Sequence, residues 1–265
     1  MDMYQLKQIP SEAQIRKYVR RIVFGKNVFC PNCRSRKVWR SEQRYRCPDC
    51  RIRFSLTSHT WLADMKLPLQ QWWMLLWCWT TRIPVLQAQS LTRLSEVTVR
   101  HWYRQFRLHL PEEVHILERI VQLDEAYGRG WCLMMAKQVG TRKLAYTVLE
   151  EEYPNRQQAA HFLFQKIRPG SELWADGAKI YQGIDAWWPV IHSRDIHKKF
   201  EFEHTSEIEG MFGVMRTFIR RMYHHVEADQ FPEYVREFCF RFSSPELFQN
   251  PLYYAEKSLT LVPTR

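Results

Sequence analysis

The chain has 265 residues, of which 45% are hydrophobic and 25% charged, and its formal net charge is +11 at pH 7. This length is sufficient for one large domain with smaller domains beside it. The longest apolar run, Trp72 to Trp79, is far shorter than the roughly 20 residues of a membrane span, which argues against a transmembrane helix. The N-terminus has no apolar signal core, so a cytoplasmic protein is expected.

The positive charge is concentrated near the N-terminus. Residues 1–66 contain 15 Lys or Arg and 5 Asp or Glu, whereas residues 121–265 contain 18 Lys or Arg and 19 Asp or Glu. So uneven a distribution predicts that the N-terminal part binds a polyanion. A general contribution of the charge to solubility is the alternative. The balanced C-terminal half has carboxylates available for metal ions.

Four of the seven cysteines form two Cys-x-x-Cys pairs. Cys30 and Cys33 make the first pair and Cys47 and Cys50 the second, with thirteen residues between the pairs. Four thiolates in this pattern can hold Zn²⁺ tetrahedrally, so the sequence predicts a zinc ribbon and a reducing compartment. The scattered cysteines are expected to be small core side chains; they are Cys78, Cys132 and Cys239.

A short helix capped by Ser11 is predicted before the ribbon, with Ala13, Ile15, Tyr18 and Ile22 at near-helical spacing. Within and after the ribbon, basic and aromatic residues alternate, a pattern typical of short strands that face phosphate. The residues predicted to contact DNA here are Arg34, Arg36, Lys37, Arg40, Arg44, Arg46, Arg51 and Arg53.

Helices are predicted over residues 69–110. The first, from Leu69 to Thr81, is rich in tryptophan and apolar nearly all round, which favours core packing over base stacking. Residues 85–110 then resemble a helix-turn-helix, in which Ser95 caps the second helix. On that second helix the apolar side chains share one side. Arg100, Arg104 and Arg107 are placed on the other, where they could contact DNA or simply face solvent.

Residues after Pro111 alternate between strand and helix patterns. Apolar strands are predicted to end at Asp124 and at Asp176, and further strands are predicted at residues 131–139, 143–149 and 189–192. Helices are predicted at residues 155–167, 205–222 and 231–242. Three strands, a helix, a strand and further helices predict an α/β fold with a ribonuclease H-like core.

Three acidic residues of this core are candidate metal ligands. Asp124 and Asp176 follow apolar strands, and Glu209 lies on a later helix. Three carboxylates gathered at one place repel one another unless a cation lies between them. Two magnesium or manganese ions would relieve the repulsion and promote displacement at a phosphodiester. The alternative for each acid is a solvated surface residue or a helix cap.

Several motifs together resemble a known family. They are Phe54–Thr60, Leu123–Tyr127, Trp174–Gly177, His204–Phe212, Tyr223–Val226 and Glu237–Phe242. In this order and spacing, the motifs resemble the bacterial insertion-sequence fifteen-ninety-five (IS1595) transposases, whose eukaryotic relatives are the Merlin transposons. The resemblance covers nearly the whole chain. It implies a DDE-type recombinase with structural Zn²⁺ and catalytic Mg²⁺ or Mn²⁺, in which Asp124 and Asp176 are metal ligands.

The chain departs from the family pattern at some positions. Ser206 stands where the family has Asn in an Asn-x-Ile-Glu-Gly block, so Glu209, at the Glu of that block, is predicted to be the third ligand. Arg216 replaces a family Lys and is predicted to contact a backbone phosphate. Only residues 128–130 remain of a Lys/Gly-rich insert. His224 and His225 could contact DNA phosphates, assist near the metals or simply end a helix.

Three domains are predicted: a zinc ribbon at 1–60, a helix-turn-helix-like module at 66–112 and the ribonuclease H-like core at 118–255. The predicted protein is a nucleoid-associated DNA transposase, at least dimeric on double-stranded DNA. It binds the element ends and catalyses metal-dependent strand cleavage and strand transfer into target DNA. A transposase-derived DNA-binding regulator, which Ser206 would favour, and a zinc-ribbon nuclease that processes RNA are the alternatives.

Overall fold

The computed structural model of the chain describes residues 9–112, 114–128, 130–176, 179–186, 188–195, 206–224 and 226–261. Contacts divide the chain into two compact units: unit 1 comprises residues 1–111 and 246–265, and unit 2 comprises residues 112–245. Residues 246–255, which are predicted from the sequence to belong to the catalytic domain, therefore pack with the N-terminal part. None of the described helices combines the length and apolar character that crossing a bilayer requires.

Unit 1 consists of helices and a small three-stranded ribbon. Its elements are helix α1 (Glu12–Phe24), strands β1 (Trp39–Ser41), β2 (Arg44–Arg46) and β3 (Arg53–Phe54), helices α2 (Leu69–Thr80), α3 (Val85–Thr92) and α4 (Glu96–Leu108), and, from the C-terminal end of the chain, helix α8 (Pro251–Ser258). The ribbon strands pair antiparallel in the order β1-β2-β3.

Helix α1 begins where the sequence predicts. Ser11 accepts a hydrogen bond from the backbone of Gln14, whose side chain accepts one from the Ser11 backbone, so a capping box closes the first turn. The buried side of α1 differs from the predicted one. Ile15 and Val19 are buried, whereas Ala13 is exposed. This side leaves the basic residues of the helix facing outward.

The core of unit 1 is aromatic. Trp72 and Trp79 of α2 are fully buried, which confirms core packing for these two tryptophans, and both lie against Phe106 of α4. Tyr254 of α8 packs edge-on to Trp79 and donates a hydrogen bond from its hydroxyl to the Phe106 carbonyl oxygen at 2.8 Å. The C-terminal helix is thus part of this core.

Helices α3 and α4 are joined by three residues, as a helix-turn-helix requires. Arg93 ends α3 in the left-handed conformation (φ 56°), and the Ser95 hydroxyl accepts from the Thr98 amide at 3.2 Å to start α4. The predicted cap at Ser95 is confirmed. The apolar side of α4, including Val99 and Tyr103, is buried in the module.

In the part of the chain that the structure describes, unit 2 is built on a five-stranded sheet with both parallel and antiparallel pairs. Its elements are β4 (Ile120–Gly128), β5 (Trp131–Gln138), β6 (Leu144–Leu149), helix α5 (Arg156–Lys166), β7 (Glu172–Asp176), β8 (Ile191–Asp195), and helices α6 (Ser206–Tyr223) and α7 (Phe231–Ser243). The sheet order is β6-β5-β4-β7-β8. Strands β4, β5 and β6 pair antiparallel, whereas β7 pairs parallel to β4 and to β8. An antiparallel meander that continues into parallel strands is the ribonuclease H-like arrangement, as the sequence predicts.

Helices cover both faces of this sheet. On one face, Leu123 of β4 and Leu173 of β7 form a core with Phe162 of α5. On the other face, Met135 of β5 packs with Ile208 of α6 and with neighbouring side chains of α6 and α7. Because side chains alternate along a strand, Gln122 and Asp124 lie on the α6 face of β4.

Two strands differ from the predicted ones. The pairing of β4 with β5 continues from Asp124 to the pair Gly128 and Trp131, so Asp124 lies within its strand and not at its end. The apolar pattern stops at Leu123, but the antiparallel partner keeps the backbone extended. A Cβ at Gly128 would lie within 2.5 Å of the Trp131 ring, so a residue with a side chain would clash at this position and glycine fits. Strand β8 begins at Ile191, two residues later than predicted.

Candidate functional site

The four paired cysteines form a metal-binding cluster at the ribbon. All four sulfur atoms lie within 4.8 Å of one another; those of Cys30 and Cys50 are 3.4 Å apart, and those of Cys33 and Cys47 are 3.5 Å apart. A tetrahedron with Zn–S bonds of about 2.3 Å has sulfur atoms about 3.8 Å apart. The cluster therefore fits structural zinc, which it would hold through four thiolates while joining the two ends of the ribbon.

The local surroundings affect these thiols differently. The Ile52 backbone amide, by hydrogen bonding to sulfur, lowers the pKa of the Cys50 thiol to about 6. Burial raises the pKa of the Cys30 thiol. Zinc binds thiolates, so its binding at Cys30 must release a proton. The three cysteines outside the cluster are buried, as the sequence predicts: Cys78, Cys132 and Cys239.

The basic residues predicted to contact DNA are mostly at the surface. All eight of the ribbon, from Arg34 to Arg53, are exposed. On α4, Arg104 is exposed, and Arg100 forms an ion pair with Glu96 at 2.7 Å. The prediction that Arg107 belongs to this basic face is wrong, because Arg107 is only 2% exposed. It lies one turn after the buried Tyr103, on the same row of the helix.

Parallel pairing of β4 and β7 places the two candidate aspartates side by side. The register pairs Gln122 with Trp174 and Leu123 with Ala175, and the next positions along the two strands are Asp124 and Asp176. Strand β7 ends at Asp176. Asp124 accepts a hydrogen bond from the Glu125 backbone amide at 2.8 Å. Two residues 52 positions apart in the sequence thus share one level of the sheet.

Helix α6 starts over the same strand. The Ile208 backbone amide donates a buried hydrogen bond to the Gln122 side-chain oxygen at 3.0 Å. Asp124 lies on the same face of β4, about 7 Å further along the strand. Glu209 directly follows Ile208. The first turn of α6 is therefore held close to the level of the two aspartates.

The acids of this first turn differ in what they contact. Glu207 forms an ion pair with Lys137 of β5, whose side chain is 8% exposed. A carboxylate paired with a buried lysine is a poor candidate for binding a metal. Glu209 is half-buried, and Ser206 is exposed at the first residue of α6. Glu209 is the better candidate of the two acids for the third ligand.

Several residues of α6 beyond Glu209 share its side of the helix. Helical periodicity places Gly213, Arg216 and Arg220 on this side, while Met215 faces the sheet. Arg216, two turns after Glu209, is exposed. This exposed position is compatible with the predicted contact between Arg216 and a backbone phosphate, which remains a prediction.

Helix α6 ends near His224, which is exposed in the left-handed conformation at φ 60°. This conformation is typical of a residue that ends a helix. His225 lies outside the described residues. The role of both histidines at DNA or metal therefore remains a prediction.

A buried polar network joins α6 to α7. Tyr223 donates a hydrogen bond to one oxygen of Glu237 at 2.6 Å, and Arg241 forms an ion pair with the other at 2.8 Å. All three side chains are at most 3% exposed. These residues belong to the family motifs, but their pattern did not predict the network. Their signal is the Glu-x-x-x-Arg spacing of one helical turn within an apolar helix.

Two family models match the chain, in the regions just described. The transposase zinc-ribbon domain matches residues 10–53, and the ISXO2-like transposase domain matches residues 116–243. Both belong to IS1595, and together they match more than half of the chain. The chain belongs to the IS1595 family of zinc-ribbon transposases. The resemblance seen in the sequence motifs of this transposase is thereby confirmed.

Solved structures of retroviral integrases show a partial likeness to this transposase. One chain, from a "CryoEM structure of simian T-cell lymphotropic virus intasome in complex with PP2A regulatory subunit B56 gamma", shares 13% identity over 63% of this chain and 67% of its own, with a TM-score of 0.36. Another chain comes from the "Structure of the HTLV-2 integrase catalytic core domain in complex with magnesium (dimeric form)". It shares 10% identity over 49% of this chain and 87% of its own, with a TM-score of 0.33. No curated protein matches the chain.

Proposed function

We propose that this transposase binds the ends of an insertion sequence and catalyses divalent-metal-dependent DNA strand cleavage and strand transfer. The observation that carries the proposal is that β4 is paired with β7 and is joined by a hydrogen bond to the first turn of α6. The strand register puts Asp124 and Asp176 at corresponding positions of neighbouring strands, and a hydrogen bond joins Ile208, the residue before Glu209, to Gln122 of the strand that carries Asp124. Oxygen ligands of this kind suit Mg²⁺ or Mn²⁺.

Each residue of this site has a distinct role in the proposal. Asp124, Asp176 and Glu209 would hold the divalent ions, and bound ions would stabilise charge on the attacking and leaving oxygens of a phosphodiester. Lys137 neutralises Glu207 and so keeps a second carboxylate of α6 out of the site. Arg216, on the Glu209 side of α6, would contact a backbone phosphate of the bound strand.

The reaction follows from these roles. Water attacks the phosphodiester at the element end, the P–O bond to the 3′ oxygen breaks, and a free 3′-hydroxyl is released. That hydroxyl then attacks a phosphodiester of the target in line, and the displaced 3′ oxygen of the target leaves. Both ends must be joined to one target, so the active form is at least a dimer on DNA. The transposase would act in the cytoplasm, on the nucleoid.

The test uses purified full-length protein and a labelled duplex containing the DNA that flanks the coding sequence. With Mg²⁺ or Mn²⁺, the native protein should nick the duplex at the element end. Asp124→Ala should lower nicking by at least about a hundredfold but leave the gel-shift affinity unchanged. Glu150→Gln, which changes an exposed acid of unit 2, is the matched control and should nick at the native rate.

The third ligand is tested by Glu209→Gln, which should be as damaging as Asp124→Ala. If Glu209→Gln nicks normally while Ser206→Ala abolishes nicking, the assignment of Glu209 is wrong. Binding without nicking by the native protein would instead identify a DNA-binding regulator. Cleavage of RNA but not DNA would identify a nuclease.

A further inference from the structure

A basic cleft lies in unit 1 between α1 and the hairpin formed by β1 and β2. Its volume is about 920 Å³. The basic residues that line it are Arg16, Lys17, Arg20, Arg21, Lys26 and Arg40. No Asp or Glu is among the lining residues that the structure describes. The α1 wall of this basic cleft lies outside the DNA contacts predicted from the sequence.

The positive charge of the basic cleft is largely uncompensated. Arg16 forms an ion pair with Glu12 at 3.4 Å, but no described carboxylate pairs with Lys17, Arg20 or Arg21. All three are exposed. Lys17 and Arg21 are one helical turn apart, a spacing at which like charges destabilise a helix. Such a cluster is stabilised when an anion binds.

The two walls of the basic cleft are held together. Arg16 of α1 donates a hydrogen bond to the Gln43 side chain at the turn of the hairpin, at 3.3 Å. Below them, Phe24 of α1 packs against Phe54 of β3 with ring centroids 6.0 Å apart. The four cysteines that would hold zinc belong to the same ribbon. The basic cleft is therefore a formed feature with charges on both sides.

The chemistry of the basic cleft matches the phosphates of duplex DNA better than single-stranded nucleic acid. Single strands are bound by stacking bases on free aromatic rings. The two aromatic rings here are occupied by protein neighbours, since Tyr45 stacks on Phe54 and Tyr18 packs against Trp73. From Arg16 to Arg21 the helix rises about 8 Å, which is roughly two base-pair steps along B-DNA.

We infer that the basic cleft binds the sugar–phosphate backbone of one strand of duplex DNA. Arg20 and Arg21 contact phosphates from the α1 side, and Arg40 does so from the hairpin. These contacts are independent of sequence and set the orientation of the ribbon on the DNA. The inference rests on the proposed DNA substrate of this transposase, and it adds α1 to the binding surface.

The experiment measures affinity of the full-length, zinc-loaded protein for a labelled duplex by fluorescence anisotropy between 50 and 200 mM salt. Each phosphate contact contributes about 0.9 to the slope of log K against log salt. Arg20→Ala with Arg21→Ala should therefore reduce that slope by about 1.8. Arg142→Ala with Lys143→Ala, two exposed basic residues between β5 and β6, is the matched control and should leave the slope unchanged.

The outcomes separate this inference from the proposed function. A native slope in the Arg20/Arg21 variant, or an equal loss in the control, overturns the cleft assignment while nicking by the native protein still stands. Tighter binding of a single strand than of the duplex overturns the choice of ligand. Asp124→Ala should keep the native slope. If the native protein never nicks but its slope depends on Arg20 and Arg21, the cleft stands and the catalytic proposal fails. Zinc content and circular dichroism establish that each variant is folded.

Discussion

The Ile208 backbone amide and the Gln122 side chain are joined by a buried hydrogen bond across 86 residues of sequence. The amide belongs to the first turn of α6, where backbone N–H groups have no partner within the helix. Gln122 therefore caps a helix from the neighbouring strand, two residues before Asp124. This bond ties the candidate third ligand, Glu209, to the strand that carries the first.

Gln122→Met should impair nicking more than it impairs folding. Methionine has similar size but cannot accept the Ile208 hydrogen bond, and the buried amide left behind costs about 1–3 kcal/mol. Gln138→Met is the matched control, because Gln138 accepts a similar bond from the Glu118 amide at 3.2 Å, away from α6. Unfolding and nicking assays on both variants should show similar stability losses but slower nicking only for Gln122→Met. Equal nicking by the two would contradict a positioning role for Gln122.

Removal of the buried Glu237 carboxylate in unit 2 should lower the free energy of unfolding far more than removal of the exposed Glu96 carboxylate in unit 1. Glu237 and Arg241 form a pair that is at most 2% exposed, whereas Glu96 and Arg100 form the same one-turn pair at about 40% exposure. Glu237→Ala leaves a buried charge and should lower the free energy of unfolding by about 3–5 kcal/mol. Glu96→Ala should lower it by less than about 1 kcal/mol.

Chemical denaturation of both variants measures the difference. If Glu237→Ala fails to fold, Glu237→Gln supplies a milder test, since the amide oxygen still accepts from Tyr223 but no longer neutralises Arg241. Losses of similar size at Glu237 and Glu96 would show that the network contributes little to unit 2.

Cys33→Ser should remove zinc from the ribbon. The purified protein should contain about one zinc per chain, and the variant close to none, because three thiolates and a hydroxyl hold zinc weakly. The affinity of the native ribbon for zinc should fall as the pH falls, since protons compete for the thiolates. Elemental analysis measures both. Cys78→Ala, which changes a buried cysteine outside the cluster, should keep its zinc; loss of zinc there would point to general unfolding.

Gly213→Ala should stabilise α6 but slow nicking. A Cβ at Gly213 meets nothing within 4 Å, so replacing a helical glycine should gain about 0.5–1 kcal/mol. The added methyl group stands on the side of Glu209 and Arg216, where DNA is proposed to approach. Gly210→Ala has the same free space on the outer side of α6 and is the control. Equal nicking by the two variants would place the DNA elsewhere.

Local patterns predicted the elements of unit 1 well and some side-chain environments poorly. The caps at Ser11 and Ser95 follow from residues that are neighbours in the sequence. The burial of Arg107 does not follow from neighbouring residues. A helical pattern indicates which side chains share one side of the helix, but not what packs against that side. Similarly, the apolar run before Asp124 ends at Leu123, yet pairing with β5 extends the strand to Gly128.

The amino-acid sequence by itself determined the zinc ligands, the basic N-terminal region and the family of this transposase, because short spacings and composition carry that information. Only the tertiary structure decided that Asp124 shares a level with Asp176, that Glu209 lies in the first turn of a helix held to the same strand as Asp124, and that α1 and the ribbon hairpin enclose one basic cleft. The physical reason is that strand register and a buried hydrogen bond join residues far apart in the chain, and no local pattern specifies which distant partners will meet.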